Sequence, residues 1–321
     1  MKTALQITDL SICYMIGSGV LRSVESVSLN IRTGERFAIV GESGCGKSTL
    51  AKAILSLLPS NASITGGTII FDKHNLLTLN KESIRNIRGR HIALIPQGAM
   101  NSLNPVMRVK SQIADIITTH QGQQPRRALN DRIDKLLQQV DLPNHVANMY
   151  PHELSGGMKQ RVCFAIAVAL DPSVIIADEP TSALDVITQK RVMQTLIQTQ
   201  KRKKTTLVLI GHDLGLVAQT SERVGVMYSG RFVEIGTVRQ IFKAPHHPYT
   251  QSLVVTVPSI RLLKRSEKPR VLQPSSLQPH IGCPFLLHCN QAMPVCKTHL
   301  PTLLPTPSGQ FVACHLYSES R

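Results

Sequence analysis

The chain has 321 residues, of which 42% are hydrophobic and 4% aromatic, so it is long enough for a packed domain with an appendage, or for two domains. The absence of Trp and the scarcity of other aromatic rings argue against a protein that stacks single-stranded nucleic acid bases. The net charge of +16 favours anionic partners, and the short basic runs are more typical of a solvated surface near a membrane than of a nucleic-acid site.

The sequence shows neither a secretory signal nor a membrane span. Residues 1–10 lack the basic start and apolar core of a secretory signal, and the longest apolar run, residues 164–170, is far below the roughly 18 residues of a membrane span. We therefore expect a soluble or peripheral protein.

The N-terminal region is predicted to form antiparallel strands. Residues 5–10 and 27–31 alternate apolar and polar side chains, as strands do. Tyr14 is either a ring that stacks on adenine or a half-buried strand tyrosine, and the spacing leaves both open.

Residues 41–49 form a glycine-rich loop between a predicted strand and a predicted helix. Their sequence, GESGCGKST, fits the phosphate-loop pattern Gly-x-x-x-x-Gly-Lys-Ser/Thr. The glycines let successive backbone N–H groups approach phosphate oxygens, Lys47 adds a positive charge, and Ser48 offers a hydroxyl to Mg²⁺. The predicted nucleotide-binding residues of the loop are Gly41, Ser43, Gly44, Cys45, Gly46, Lys47, Ser48 and Thr49.

Three apolar runs are each followed by polar side chains. Ligands collect at the carboxyl ends of strands in open α/β sheets, so these side chains are candidates for chemistry. An Asp in this position can hold Mg²⁺ through water, and a Glu can polarise a water for attack. A His there is a candidate contact of the γ-phosphate. The runs and their polar ends are 91–96 with Gln97, 174–177 with Asp178 and Glu179, and 205–211 with His212.

A helical insertion is predicted at about residues 98–160. Near its end, Ser155 is placed to cap a helix whose first turn contains Gly156 and Gly157. Glycine is a poor helix former, so its presence is explained if an anion must come close to the backbone there. The apolar residues that predict one buried face of this helix are Met158, Val162, Ile166, Ala169 and Leu170.

The C-terminal part begins with a predicted hairpin around Ser229 and Gly230, and prolines become frequent beyond residue 245. We expect a domain at 1–245 and a small extension at 246–321. A nucleotide-binding chain without a visible export signal indicates a reducing compartment, so the cysteines are not interpreted as disulfides. Thiolates suit zinc or an iron–sulfur cluster, although the short Cys-x-x-Cys pairs of zinc ribbons are absent. Cluster, zinc and free thiols stay open for Cys283, Cys289, Cys296 and Cys314.

Taken in order, these motifs resemble the ATP-binding subunit of ABC transporters over residues 1 to about 240. The resemblance implies a three-layer α/β phosphate-loop NTPase core, an antiparallel β subdomain, a helical subdomain and a small cysteine-containing C-terminal domain. The residues that carry it are the phosphate loop, Gln97, the segment 154–158, Asp178 with Glu179, the segment 182–185, and His212. Those that resemble the branch importing dipeptides, oligopeptides and nickel are 101–105, Met158 and 247–250.

The resemblance implies a site shared by two subunits. ATP would lie on the phosphate loop of one subunit and be closed by the start of the Ser155 helix of the other. Cys45 departs from the family, which most often has Ser there, but the backbone N–H does the binding. The implied roles are adenine stacking for Tyr14, Mg²⁺ binding for Ser48, Gln97 and Asp178, action on the attacking water for Glu179, γ-phosphate binding for His212, closure for Ser155, Gly156 and Gly157, and a contact across the seam for Asp185.

The resemblance also implies partners and cofactors. The expected cofactors are ATP and Mg²⁺, and in dipeptide-type ATPases such C-terminal cysteines can hold a [4Fe-4S] cluster. Expected partners are two transmembrane permease subunits, a second ATPase subunit and an external solute-binding protein, with the chain on the cytoplasmic face of a bacterial inner membrane. Nickel or a metal chelate is the alternative cargo. A soluble ABC ATPase acting on nucleic acid or ribosomes is favoured by the charge, but it is disfavoured by the single nucleotide-binding unit and the lack of a long heptad segment.

Overall fold

The computed structural model describes residues 2–17, 19–182, 184–255 and 281–317. These ranges contain twelve strands, three of which have only two residues. In chain order they are β1 (Thr3–Ile16), β2 (Gly19–Arg32), β3 (Arg36–Val40), β4 (Ala62–Phe71), β5 (His74–Asn75), β6 (Ile92–Ile95), β7 (Val174–Asp178), β8 (Thr206–Gly211), β9 (Arg223–Tyr228), β10 (Arg231–Thr237), β11 (Leu304–Pro305) and β12 (Phe311–Val312).

Nine α-helices and several short 3-10 helices lie in the same ranges. Within this part of the chain, no helix has both the length and the apolar character needed to cross a membrane. The α-helices are α1 (Lys47–Ile54), α2 (Lys81–Ile87), α3 (Val109–Gln121), α4 (Arg126–Gln139), α5 (Gly156–Val168), α6 (Val186–Lys203), α7 (Leu214–Thr220), α8 (Val238–Lys243) and α9 (Pro248–Val255).

Contacts between residues divide the chain into two compact units. The described part of the C-terminal extension groups with the second unit, and the boundary expected at residue 245 stays a prediction. The first unit consists of Met1–Ala4, Arg32–Glu35 and Thr78–Leu209, and the second of Leu5–Ile31, Arg36–Leu77 and Ile210–Arg321.

The first unit combines parallel strands with the predicted helices. Strands β6 and β7 pair in parallel, with Ile92 opposite Val174, and every residue of β7 is buried. Helix α5 packs against α3, α4, α6 and β6, so it is buried on nearly all sides. The expectation of a single buried face was therefore wrong: Met158 and Ile166 are partly exposed, whereas Gln160 is buried.

The second unit contains the predicted antiparallel strands, ordered β2-β1-β4-β5. It also contains β3, which pairs in parallel with β9, and the predicted hairpin of β9 and β10. The hairpin turn has Ser229 at φ 45 and Gly230 at φ 79, the positive values that a two-residue turn of type I′ requires. Strand β12 pairs with β10, with Glu234 opposite Val312, so the extension continues this sheet.

Candidate functional site

The glycines of the phosphate loop have conformations and neighbours that other residues would not tolerate. Gly41, Gly44 and Gly46 have φ values of 154, 81 and 102, in the region that favours glycine. A Cβ at Gly41 would lie 2.1 Å from the carbonyl oxygen of Met227, and one at Gly46 would lie 2.2 Å from that of Ser23. The loop is therefore a tight turn that also packs directly on neighbouring backbone.

Lys47 points back into this loop. It is buried, with 5% of its surface exposed, and Nζ donates hydrogen bonds of 2.9 and 2.6 Å to the carbonyl oxygens of Gly41 and Glu42. Gly46 caps α1 without a side chain, so no side chain satisfies the first N–H groups of the helix. An ammonium group beside a helix N-terminus is an arrangement suited to phosphate.

The hydroxyl group of Thr49, in α1, contacts hydroxyl groups of two strands. Its hydroxyl lies 3.3 Å from the hydroxyl of Tyr14 in β1 and accepts a hydrogen bond of 3.0 Å from Ser23 in β2. Tyr14 is half-buried, which agrees with the second of the two interpretations given above. Because its hydroxyl contacts the helix that follows the loop, its ring stays a candidate for adenine binding.

Gln97 and Glu179 are in contact in the first unit. They follow β6 and β7, which are parallel neighbours, so the two strands end at the same edge. Gln97 Nε2 donates a hydrogen bond of 3.0 Å to Glu179 Oε2. Glu179 has φ 46, a strained conformation that costs about 1–3 kcal/mol and is common at functional sites. Asp178, at the end of β7, is 4% exposed.

The start of α5 confirms the predicted cap and shows a packing reason for one of its glycines. Ser155 Oγ accepts a hydrogen bond of 3.3 Å from the backbone N–H of Met158. Gly157 is buried, and a Cβ there would lie only 2.5 Å from Cγ2 of Thr188 in α6. Helix packing is therefore one reason for a glycine at position 157. The approach of an anion to Gly156 and Gly157 stays a prediction.

Asp185 has a local role that sequence reasoning missed. Its Oδ1 accepts hydrogen bonds of 3.1 and 3.0 Å from the backbone N–H groups of Ile187 and Thr188, so it caps α6. A hydrogen bond from the Thr188 side chain is the main cause that lowers the pKa of the carboxyl group, followed by the one from the Thr188 backbone. An Asp directly before a helix is a recognised capping signal, and it could have been found in the sequence. In the segment 182–185, Ser182 and Asp185 are both exposed.

The two units hold different shares of the predicted site residues. The second unit contains the phosphate loop, Tyr14 and His212, which is exposed just after β8. The others lie in the first unit: Gln97, Asp178, Glu179, Ser155, Gly156, Gly157 and Asp185.

The sequence did not predict one further residue that contacts the phosphate loop. The buried Tyr249 accepts a hydrogen bond of 3.1 Å from the backbone N–H of Glu42 in the phosphate loop, although the sequence used it only as a family marker.

The four C-terminal cysteines are free thiols in one region of the extension. Burial raises the pKa of Cys283, and it raises that of Cys314 to about 11, with a smaller contribution from the other three thiols. Among the described residues, which include all four cysteines, no three His, Cys, Asp or Glu side chains form a group that could hold a metal ion. The structure thus does not support the expected cluster. Four histidines near the cysteines are expected from the sequence to be surface residues: His288 and His299 are exposed, His315 is half-buried, and His280 lies outside the described residues.

Comparison with known proteins decides the family. A family model described as "ABC transporter" matches residues 24–182, and one described as "Oligopeptide/dipeptide transporter, C-terminal region" matches residues 233–296. The chain is 40% identical to the dipeptide transport ATP-binding protein DppD of Caldanaerobacter subterraneus, over 100% of this chain and 99% of that protein. The chain belongs to the family of ABC transporter ATP-binding proteins. As such it is an ATPase, and ATP with Mg²⁺ is its expected substrate complex.

Other members of the ABC family agree with this assignment. The oligopeptide transport ATP-binding protein OppD of Lactococcus lactis subsp. cremoris is 42% identical over 80% of this chain and 77% of that protein. Among solved structures, the dimeric ATP-binding cassette MJ0796 with ADP and Pi matches with a TM-score of 0.66 and 28% identity, over 73% of this chain and 99% of that chain. The expected α/β phosphate-loop fold is thereby confirmed.

Proposed function

We propose that this ABC ATPase energises the import of dipeptides or oligopeptides. The observation that carries the proposal is the match of residues 233–296 to the C-terminal region of oligopeptide and dipeptide transporters, in a chain whose full-length relatives are named for peptide transport. In this proposal the chain works on the cytoplasmic face of the inner membrane, with two permease subunits, a second ATPase subunit and an external solute-binding protein.

In this proposal, ATP binds between two ATPase subunits. The triphosphate lies on the loop 41–49 of one subunit, where Lys47 and the uncapped start of α1 supply positive charge. The start of α5 in the other subunit, with Ser155, Gly156 and Gly157, closes the site. Asp185 works across the seam, and the ring of Tyr14 stacks on adenine.

Hydrolysis depends on groups at the ends of β6, β7 and β8. Ser48, Gln97 and Asp178 are the proposed residues for Mg²⁺, which neutralises phosphate charge when bound. Glu179 polarises the attacking water, and its hydrogen bond from Gln97 orients the carboxylate. His212 contacts the γ-phosphate. Loss of a general base typically lowers the rate by about 100- to 10,000-fold, so Glu179→Gln should bind ATP yet scarcely hydrolyse it.

The transport assignment is tested by deleting the gene and measuring the uptake of a radiolabelled dipeptide and of radioactive nickel. We expect dipeptide uptake to fall, and to return with the wild-type gene and with Glu82→Gln, which changes an exposed glutamate of α2. Glu179→Gln should not restore it. Loss of nickel uptake alone would replace the peptide assignment with the metal cargo, and unchanged uptake of both would refute import.

We also propose that Cys283, Cys289, Cys296 and Cys314 hold an iron–sulfur cluster. The support is a set of four free thiols in a chain that resembles dipeptide-type ATPases, with the backbone N–H of Cys283 donating a hydrogen bond of 2.8 Å to the carbonyl oxygen of Cys296. The described arrangement would have to tighten, and the raised pKa values mean that binding must release protons. Anaerobically purified protein should be brown, with about four irons per chain, and Cys296→Ser should lose them. Colourless, iron-free protein would overturn this.

A further inference from the structure

A buried tyrosine of the C-terminal extension accepts a hydrogen bond from the backbone of the phosphate loop. The backbone N–H of Glu42, the second residue of the loop, donates a hydrogen bond of 3.1 Å to Tyr249 Oη. Tyr249 is 1% exposed, and burial raises the pKa of its hydroxyl, so the group stays neutral. The hydrogen bond joins residues separated by 207 positions in the chain.

The backbone around Tyr249 is itself anchored. Its N–H donates to Nδ1 of His247 at 3.0 Å, and the N–H groups of His246 and His247 donate to the carboxylate of Glu234 at 2.9 and 3.0 Å. Glu234 is fully buried in β10 and also accepts from Gln310 Nε2 at 2.9 Å. These bonds fix the start of α9 to the sheet, so the Tyr249 side chain has little freedom to follow a moving loop.

The ring of Tyr249 contacts the cysteine-rich segment. Its centroid lies 5.5 Å from that of Phe285, which is 4% exposed and lies two positions after Cys283, and 4.6 Å from that of Tyr228. Phe285 also lies 6.1 Å from the ring of His288. Burial raises the pKa of the Glu42 carboxyl group. The extension therefore meets the loop residue Glu42 through the hydrogen bond from its backbone N–H to Tyr249.

We propose that Tyr249 is a positioning residue for the phosphate loop, and that its contact with Phe285 transmits the packing of the cysteine-rich segment to the ATP site. Without the hydroxyl, the partly buried N–H of Glu42 has lost its acceptor, and the loop relaxes until water or another group replaces it. ATP must then restore the loop conformation on binding, so the cost falls on affinity more than on turnover. The proposal rests on the assignment of residues 41–49 as the ATP-binding loop.

The test compares MgATP binding to the purified full-length chain, wild type and Tyr249→Phe, by titration with a fluorescent ATP analogue. The Phe ring keeps the packing, so we expect the Kd to rise about tenfold while kcat, measured in the complex, changes much less. The matched control is Tyr317→Phe, which removes a hydroxyl from an extension tyrosine whose ring stacks on His246, 4.7 Å away. Phe285→Leu should also weaken binding, whereas the control should not.

A second measurement is hydrogen exchange at the Glu42 amide. We expect protection in the wild type and in Tyr317→Phe, and its loss in Tyr249→Phe. Fast exchange at this amide in the wild type would overturn the proposal even if the variant were too unstable to purify. An equal Kd for wild type and Tyr249→Phe would overturn it while leaving the ATPase assignment intact, whereas a wild type that fails to bind MgATP would remove both.

Discussion

The contact between Gly157 and Thr188 leads to a quantitative prediction about helix α5. A Cβ added at Gly157 would lie 2.5 Å from Cγ2 of Thr188, so Gly157→Ala must push α5 and α6 apart or displace the threonine. Overpacking of this kind costs about 1–3 kcal/mol, and Ala gains about 1 kcal/mol over Gly from helix propensity. We therefore expect Gly157→Ala to lower the free energy of unfolding by a net amount of about 1 kcal/mol.

A double-mutant cycle isolates the clash from the other effects of Gly157→Ala. Thr188→Ser removes the Cγ2 methyl group but keeps the hydroxyl, so Gly157→Ala should cause little loss in that background. Urea unfolding of the four proteins should yield a coupling free energy of about 1–2 kcal/mol. Gly156→Ala is the comparison, because its nearest neighbours, Leu184 at 3.3 Å and Met100 at 3.4 Å, are flexible side chains. If the losses in free energy of unfolding caused by Gly157→Ala and by Thr188→Ser add within about 0.5 kcal/mol in the double mutant, the packing explanation is refuted.

Three further predictions concern the phosphate loop and the extension. Gly46→Ala would place a Cβ 2.2 Å from the Ser23 carbonyl oxygen, so ATP binding in a filter assay should be lost while circular dichroism stays unchanged; retained binding would contradict this. Cys45→Ser should keep ATPase activity close to wild type, because burial raises the pKa of the thiol and keeps it neutral; an inactive but folded variant would contradict this. Burial lowers the pKa of His247 from 6.5 to about 4, so the unfolded chain takes up a proton first and stability is lost as the pH falls through that window. The loss is at most about 3 kcal/mol, and urea unfolding of His247→Asn, which keeps an acceptor but does not titrate, should show a smaller slope; parallel pH profiles would argue against this.

Features that depend on neighbours in the chain were predictable from the sequence. The phosphate loop is one example, since its glycines adopt the positive φ values that the pattern required. The hairpin around Ser229 and Gly230 is another, and the cap formed by Ser155 is a third. In each case the interacting groups lie within a few residues of one another, so the order of residue types carries the information.

The extension was less predictable. Its cysteines indicated a metal site, but among the described residues no three His, Cys, Asp or Glu side chains form a group that could hold a metal ion, so the cluster is a proposal. The spacing of cysteines along a chain states which ligands are available, and the path of the backbone decides whether the thiols converge.

Residue types and their order were enough to predict a phosphate loop and the polar side chains that follow three of the strands. Only the tertiary structure shows that a side chain at position 157 would clash with Thr188, that Gln97 donates a hydrogen bond to Glu179, and that Tyr249 accepts one from Glu42. The physical reason is that steric contact and hydrogen bonding act over a few ångströms in space, whereas these partners are 31, 82 and 207 positions apart in the chain.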